Sequence, residues 1–201
     1  MPFKILQVLM KTRHEFSEVL NDLVDYFILG DIRLLEGWKA ENSLGDDLGA
    51  EFASNESGDR AAREGIIIPM AGIENYPYNI IFTLDDETPE FLKSGHHLQH
   101  RRAGYVLKIE NNCLLLYTWR ILNAFTSANV SALLERYRGP GGRPIIELEN
   151  GWYDVEILGG ELLRNGDFEP AFEFILRKTE REPVTSQADI DYRFTIRSQT
   201  Y

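Results

Sequence analysis

The fold is decided by residues 144–177, which read PIIELENGWYDVEILGGELLRNGDFEPAFEFILR. Two runs rich in β-branched and aromatic residues flank Asn150 and Gly151 in this stretch. Asparagine and glycine tolerate positive φ angles, which the tight type I′ turn of a β-hairpin requires. Residues 171–177 then alternate with the two-residue period of a strand. The stretch therefore predicts a hairpin that turns at Asn150 and Gly151, followed by a further strand.

Two amphipathic helices are predicted elsewhere in the chain. The stripe of the first consists of Phe16, Val19, Leu20, Leu23, Val24 and Phe27. These residues recur at the spacing of one helix face, and Thr12 and Gly30 suit its start and its end. The second helix follows the capping pair Thr126 and Ser127. Its buried face is expected to contain Val130, Leu133, Leu134 and Tyr137.

The other periodic segments indicate strands. Those outside the hairpins are residues 3–10, 65–70, 78–84 and 192–197. Residues 104–110 and 113–119 are predicted to form a second hairpin that turns at Asn111 and Asn112, because asparagine accepts the left-handed conformation. Helices and strands do not alternate regularly, which argues against a doubly wound parallel sheet. We predict an α+β fold in one globular domain, residues 1–201, with an antiparallel β-sheet or sandwich of about 7–9 strands and two amphipathic helices.

Residues 36–64 differ from the rest of the chain in composition. From Glu41 to Glu64 they carry seven acids, and no helical or alternating apolar period runs through them. Short helical turns are predicted at residues 50–53 and 60–64 within a long acidic surface excursion. Loops of this length inside a compact domain are usually functional or disordered. The predicted partner-binding residues are Trp38, as an aromatic anchor, with Glu41, Asp46, Asp47 and Glu51.

The formal net charge of −11 bears on the choice of partner. It disfavours nucleic acid, whose phosphates would repel this surface, and it would speed encounter with a basic protein. The apolar runs are far shorter than the ~20 residues that cross a membrane, and the first residues lack the pattern of a secretory leader. The single Cys113 lies in an apolar run and is expected to be a packed thiol. These features predict a cytoplasmic protein that binds neither a membrane nor a cofactor.

The candidate metal ligands are His96, His97 and His100, which lie in the polar stretch 85–103. Imidazole is a common ligand of transition metals. In a helix, His96 and His100 would share a face, but the residue after His96 is not the glutamate of the zinc-protease motif. A solvated polar loop without a native catalytic metal is therefore the preferred interpretation.

Two functions stay open at this point. The first is a non-enzymatic, acidic protein-interaction domain for a basic protein partner. Its size and charge are similar to those of bacterial immunity proteins, which inhibit basic toxin domains, although this is a likeness of composition only. The alternative is a ligand-binding or metal-dependent hydrolytic domain that uses residues 85–100. A pocket that gathers the histidines with acids would favour the alternative, and a broad acidic surface would favour the first.

Overall fold

The computed structural model describes residues 12–20, 22–84, 87–139, 143–180 and 188–198. Its first half contains β1 (Arg13–Val19), β2 (Tyr26–Gly30), α1 (Ile32–Glu41), α2 (Leu48–Ser54), α3 (Ser57–Arg63), β3 (Ile67–Ala71), β4 (Pro77–Leu84) and a 3₁₀ helix at Glu90–Leu92. Its second half contains β5 (His97–Ile109), β6 (Leu115–Thr118), a 3₁₀ helix at Trp119–Ala124, α4 (Ser127–Arg138), β7 (Gly151–Arg164) and β8 (Asp167–Thr179). The predicted α+β class, with strands in sheets and helices packed beside them, is confirmed.

A five-stranded sheet in the order β1-β4-β8-β7-β5 forms the larger layer. Its pairs are antiparallel except β4 and β8, which run parallel. The long β7–β8 hairpin lies at its centre and turns at Asn165 and Gly166, whose φ angles are 52° and 99°. The hairpin predicted at Asn150 and Gly151 is wrong, because the preceding residues leave the sheet and Ile146 bridges Leu114. The second Asn-Gly pair of the chain makes the type I′ turn instead.

A three-stranded antiparallel sheet in the order β3-β2-β6 forms the second layer. On one face, Phe27 and Leu29 of β2 join the main core, which lies between the two sheets. On the other face, Ile28 packs into a second core that the helices cover. A smaller cluster around Phe91 covers the outer face of the five-stranded sheet. This order of layers follows from the alternation of side chains along each strand.

The helix predicted from Phe16 to Phe27 is wrong, because this segment contains β1, a connection and β2. Along β1, Phe16 and Glu18 point inward, whereas Val19 is 44% exposed. Because Glu18 points inward and Val19 points outward, apolar and polar residues do not alternate along β1. The apolar residues therefore match the spacing of a helix face instead. Leu20 and Phe27 are buried as predicted, but Leu23 is fully exposed.

The acidic segment is helical where the sequence predicted an irregular excursion. Residues 50–53 and 60–64 were predicted as helical turns, and α2 and α3 confirm helix at both places. The missed helix is α1, which begins at Ile32, before the acidic segment, and is capped by the buried carboxylate of Asp31. The segment therefore forms part of the helical layer that covers the three-stranded sheet.

The second predicted helix is confirmed as α4, with Thr126 as the N-cap and the four predicted residues buried. The hairpin predicted across Asn111 and Asn112 is wrong, since β5 pairs with β7 and β6 pairs with β2. Asn112 does adopt the left-handed conformation, with φ of 51°. The amides of Glu110 and Asn111 instead donate to Asp31, at 3.0 and 2.8 Å.

The predicted strands fall into three groups. Residues 65–70 and 78–84 are confirmed as β3 and β4. Residues 192–197 form one bridge, between Arg193 and Ala71, in place of the predicted strand. The strand predicted at residues 3–10 lies outside the described residues. Among the helices that are described, none combines the length and the apolar content that a membrane span needs.

Candidate functional site

Trp38, predicted as an exposed aromatic anchor, belongs to the core. Its side chain is buried in the cluster beneath the helices. The indole Nε1 donates to Glu64 Oε2 at 2.7 Å, and the ring meets the edge of Phe52 at a centroid distance of 6.4 Å. The guanidinium of Arg60 lies 5.1 Å from the centre of the ring. Trp38 is therefore a packing residue of α1, and its prediction as a surface residue is wrong.

The four predicted acids lie near the end of α1 and the start of α2. Glu41, Asp46 and Asp47 are exposed, and Glu51 is half-buried. Asp46 accepts a hydrogen bond from the ammonium of Lys39 at 2.5 Å, so part of its charge is neutralised. This group of four acids is called the acidic face below.

Two of these acids also order the local backbone. The carboxylate of Asp47 caps α2 by accepting from the amide of Ala50 at 2.9 Å. Glu51 accepts from the amide of Gly45 and from the side chain of Asn55, both at 3.0 Å. An amide side chain at either position keeps one acceptor oxygen, which suffices for the amide of Ala50 and for the amide of Gly45, but Glu51→Gln removes the acceptor for the side chain of Asn55.

The three histidines are divided among different partners. His96 Nδ1 accepts from the amide of Leu163 at 3.1 Å, and its Nε2 lies 3.5 Å from Glu90 Oε1. Burial alone would raise the pKa of Glu90, but hydrogen bonds from Lys93 and Arg13 lower it to about 2. The neighbouring residue His97 is at the start of β5, not in a polar loop. Its Nδ1 lies 3.1 Å from the buried Glu161.

His100 is also on β5 and contacts the segment near the end of the described chain. Its Nε2 donates to the carbonyl of Thr195 at 3.0 Å, and its Nδ1 lies 2.8 Å from the hydroxyl of Tyr192. Burial lowers the pKa of His100, which favours the neutral ring. Within the described ranges, no three His, Cys, Asp or Glu side chains are grouped as a metal site. The predicted ligands are therefore not brought together.

The carboxylate of Glu173 and the thiol of Cys113 are both buried in the fold. The fully buried Glu173 accepts hydrogen bonds from the hydroxyl of Thr83 and from the amides of Glu90 and Phe91, at 2.6, 2.8 and 2.9 Å. Cys113 is buried as predicted, and burial raises the pKa of its thiol to about 11. At neutral pH the raised pKa favours the protonated thiol over the nucleophilic thiolate.

A cavity of about 680 Å³ opens between α4, the 3₁₀ helix Trp119–Ala124 and the end of β1. Ile121 and Leu133 are among its apolar lining residues, and Arg120, Arg136 and Arg143 also line it. The described lining residues include no acid. This volume lies in the usual range for small-molecule sites, roughly 300–1,000 Å³. The cavity, called the arginine cavity below, is a candidate site that the sequence did not predict.

The comparisons with known proteins add one distant likeness. No protein-family model matches the chain, and no curated protein matches it. The chain is similar to a solved structure named "Crocagin biosynthetic gene J", with 11% sequence identity and a TM-score of 0.42. The superposition covers 85% of this chain and 97% of that one. At this identity and TM-score, the likeness carries no information about function.

Proposed function

We propose that the protein is a non-enzymatic interaction protein that binds a basic protein partner through the acidic face. The observation that carries the proposal is the exposure of Glu41, Asp46 and Asp47 where α1 leads into α2. The net charge of −11 adds a long-range field of the same sign, which would speed encounter with a basic partner. An immunity-type inhibitor of a basic bacterial toxin is the finer form of this proposal.

The environment of the reactive side chains also supports a binding function. Glu173 and Asp31 accept hydrogen bonds that hold the backbone in place, and Cys113 is buried as a neutral thiol. General acid–base and nucleophilic catalysis both require a reactive group within reach of a substrate. These three groups are instead enclosed in the fold.

The test compares two triple variants that remove the same charge. Asp46→Asn/Asp47→Asn/Glu51→Gln changes the acidic face, and the amides keep the acceptors for the cap of α2 and for Gly45. The matched control is Glu147→Gln/Asp154→Asn/Asp167→Asn, which alters exposed acids outside the helices. Wild type and the two triple variants are each expressed in bacteria together with a basic protein encoded by a neighbouring gene. The growth of the cells is then measured.

We expect wild type and control to restore growth against one such product, and the acidic-face variant to restore it less. The association rate of that pair, measured by stopped flow, should then fall in the acidic-face variant and depend less on salt, because screening acts on the removed charges. Equal association rates for the two triple variants would exclude the acidic face as the binding surface. Absence of any rescue by wild type would argue against the immunity-type function.

A further inference from the structure

The arginine cavity combines an apolar wall with unpaired positive charge. Its apolar side is formed by α4, by the 3₁₀ helix before it and by Val19 at the end of β1, which is 44% exposed. The cationic groups come from three separate elements, since Arg120 belongs to the 3₁₀ helix, Arg136 to α4 and Arg143 to the connection before β7.

The charge of this cavity is unusual for so acidic a chain. Within the described residues, the cations without a carboxylate inside 4.0 Å are Arg120, Arg136, Arg138 and Arg197. Two of these four line the same cavity. Asp22 accepts from the backbone amide of Arg120 at 2.7 Å, but it is not within ion-pair distance of the guanidinium. In a protein of net charge −11, two unpaired arginines beside one cavity indicate a site for an anion.

The third arginine, Arg143, forms an ion pair with a buried carboxylate. The guanidinium of Arg143 lies 2.5 Å from Glu18 Oε1, and the side chain of Glu18 is almost completely buried. The second carboxyl oxygen of Glu18 has no hydrogen-bond partner among the described residues. Burial raises the pKa of Glu18, and Arg143 opposes that rise. The pair fixes one wall of the cavity. Arg120 and Arg136 have no carboxylate partner among the described residues, and the guanidinium of Arg136 lies 5.9 Å from the centre of the Tyr137 ring.

We propose that the arginine cavity binds a small amphipathic anion. Its carboxylate, phosphate or sulfonate group would contact Arg120 and Arg136, because the planar guanidinium donates two parallel hydrogen bonds to a pair of oxygens on such anions. Its apolar body would lie against Val19, Ile121 and Leu133. None of the four acids of the acidic face lines the cavity, although the lining residue Phe125 donates a backbone hydrogen bond to Asp46 at 2.7 Å. The two proposals rest on different side chains of opposite charge, so a failure of either leaves the other intact.

The test uses two fluorescent dyes that differ in one group. 8-Anilino-1-naphthalenesulfonate carries a sulfonate, and N-phenyl-1-naphthylamine is the neutral molecule of the same ring system. Both are titrated into the full chain, into Arg120→Gln/Arg136→Gln, and into Arg138→Gln. Arg138 is the matched control, since it is also unpaired and in the last turn of α4, but does not line the cavity. Any effect of an arginine on the helix dipole is therefore present in both variants.

We expect the double variant to weaken sulfonate binding by about tenfold or more, the size of effect that loss of a charge-assisted hydrogen bond produces. Binding of the neutral dye should stay within about twofold in every variant. Octanoate or octyl phosphate should displace the sulfonate dye at lower concentration than octanol does, and the better of the two anions identifies the preferred head group. Equal sulfonate affinity in the double variant and in Arg138→Gln would overturn the proposal. Parallel losses of both dyes in the double variant would overturn it as well.

A cavity-filling variant guards against unfolding as the cause of a change. Ala132 lines the cavity from an exposed position on α4, so Ala132→Trp should fill the apolar space without disturbing the core. It should reduce binding of both dyes, with circular dichroism and the urea midpoint unchanged. Unaltered binding of both dyes in Ala132→Trp would locate the dyes elsewhere and refute the assignment.

Discussion

The imidazole of His100 and the hydroxyl of Tyr192 lie 2.8 Å apart and join β5 to the segment 188–198. The other ring nitrogen donates to the carbonyl of Thr195 at 3.0 Å, so in the neutral ring Nδ1 must accept a hydrogen bond from the tyrosine hydroxyl. The rings of Tyr192 and Phe194 also pack edge-on against His100, at centroid distances of 5.7 and 5.8 Å. These contacts fix the tautomer of the neutral ring, with its proton on Nε2.

Acidification should therefore destabilise the protein through His100. Because burial lowers its pKa below the ordinary 6.5, the folded state binds a proton less readily than the unfolded chain. The stability that this group contributes is complete above the unfolded pKa and is lost as pH falls through the folded pKa. Replacing His100 by Gln should make the free energy of unfolding in urea depend less on pH between about pH 7 and pH 5.

Tyr192→Phe is the control for this measurement, because it removes the hydroxyl and keeps the ring that buries His100. Since burial is the main cause of the lowered pKa, this variant should keep most of the pH dependence. An identical pH dependence in wild type and His100→Gln would show that the histidine does not couple folding to pH.

Leu20 and Leu23 distinguish the observed strands from the helix that the sequence predicted. Leu20 is buried in the core between the sheets, whereas Leu23 is fully exposed. Leu20→Ala should lower the free energy of unfolding by roughly 2–5 kcal/mol. Leu23→Ala should change it by less than about 0.5 kcal/mol, as is usual on a surface. Equal losses at the two positions would favour the helix, in which both residues share one buried stripe.

The prediction from sequence succeeded where the local signal and the tertiary environment agree. Helix α4 has a capping threonine and a regular stripe, and its four predicted residues are buried. It failed at β1, because the inward residue Glu18 forms an ion pair with Arg143, a residue remote in the chain. Sequence periodicity cannot reveal such a distant ion pair, so an inward charge in a strand resembles the polar face of a helix.

Less of the candidate sites than of the fold could be predicted from the sequence. The acids at Asp46 and Asp47 were found because exposed charge is visible in composition, and both are exposed. Trp38 was misplaced because its burial depends on Phe52 and Glu64, which reach it through the packing of three helices. The arginine cavity gave no sequence signal, since its arginines come from separate elements that only the tertiary fold brings together.

Substitution of Trp38 should lower the free energy of unfolding, because the side chain is buried. Trp38→Ala leaves a void in the core beneath the helices and should lower the free energy of unfolding by roughly 3–5 kcal/mol. Trp38→Phe keeps an aromatic ring but removes the Nε1 donor to Glu64, so a smaller loss of about 1 kcal/mol is expected from the hydrogen bond. Urea unfolding of both variants measures these losses. An unchanged stability of Trp38→Ala would contradict the buried position and restore the surface anchor.

The carboxylate of Glu173 should hold the 3₁₀ helix Glu90–Leu92 against the outer face of the five-stranded sheet. Its two oxygens accept from one hydroxyl and from the amides of Glu90 and Phe91, and all three contacts need an acceptor. In Glu173→Gln one oxygen becomes an amide nitrogen that faces a donor, which should cost about 1–3 kcal/mol of unfolding free energy. Hydrogen exchange should show faster exchange of the Phe91 amide, while the amides of the β7–β8 ladder stay protected.

Thr83→Val is the control, because it removes one donor, keeps the carboxylate, and should leave the Phe91 amide protected. If Phe91 exchanges at the wild-type rate in Glu173→Gln, the carboxylate is not what holds this helix in place.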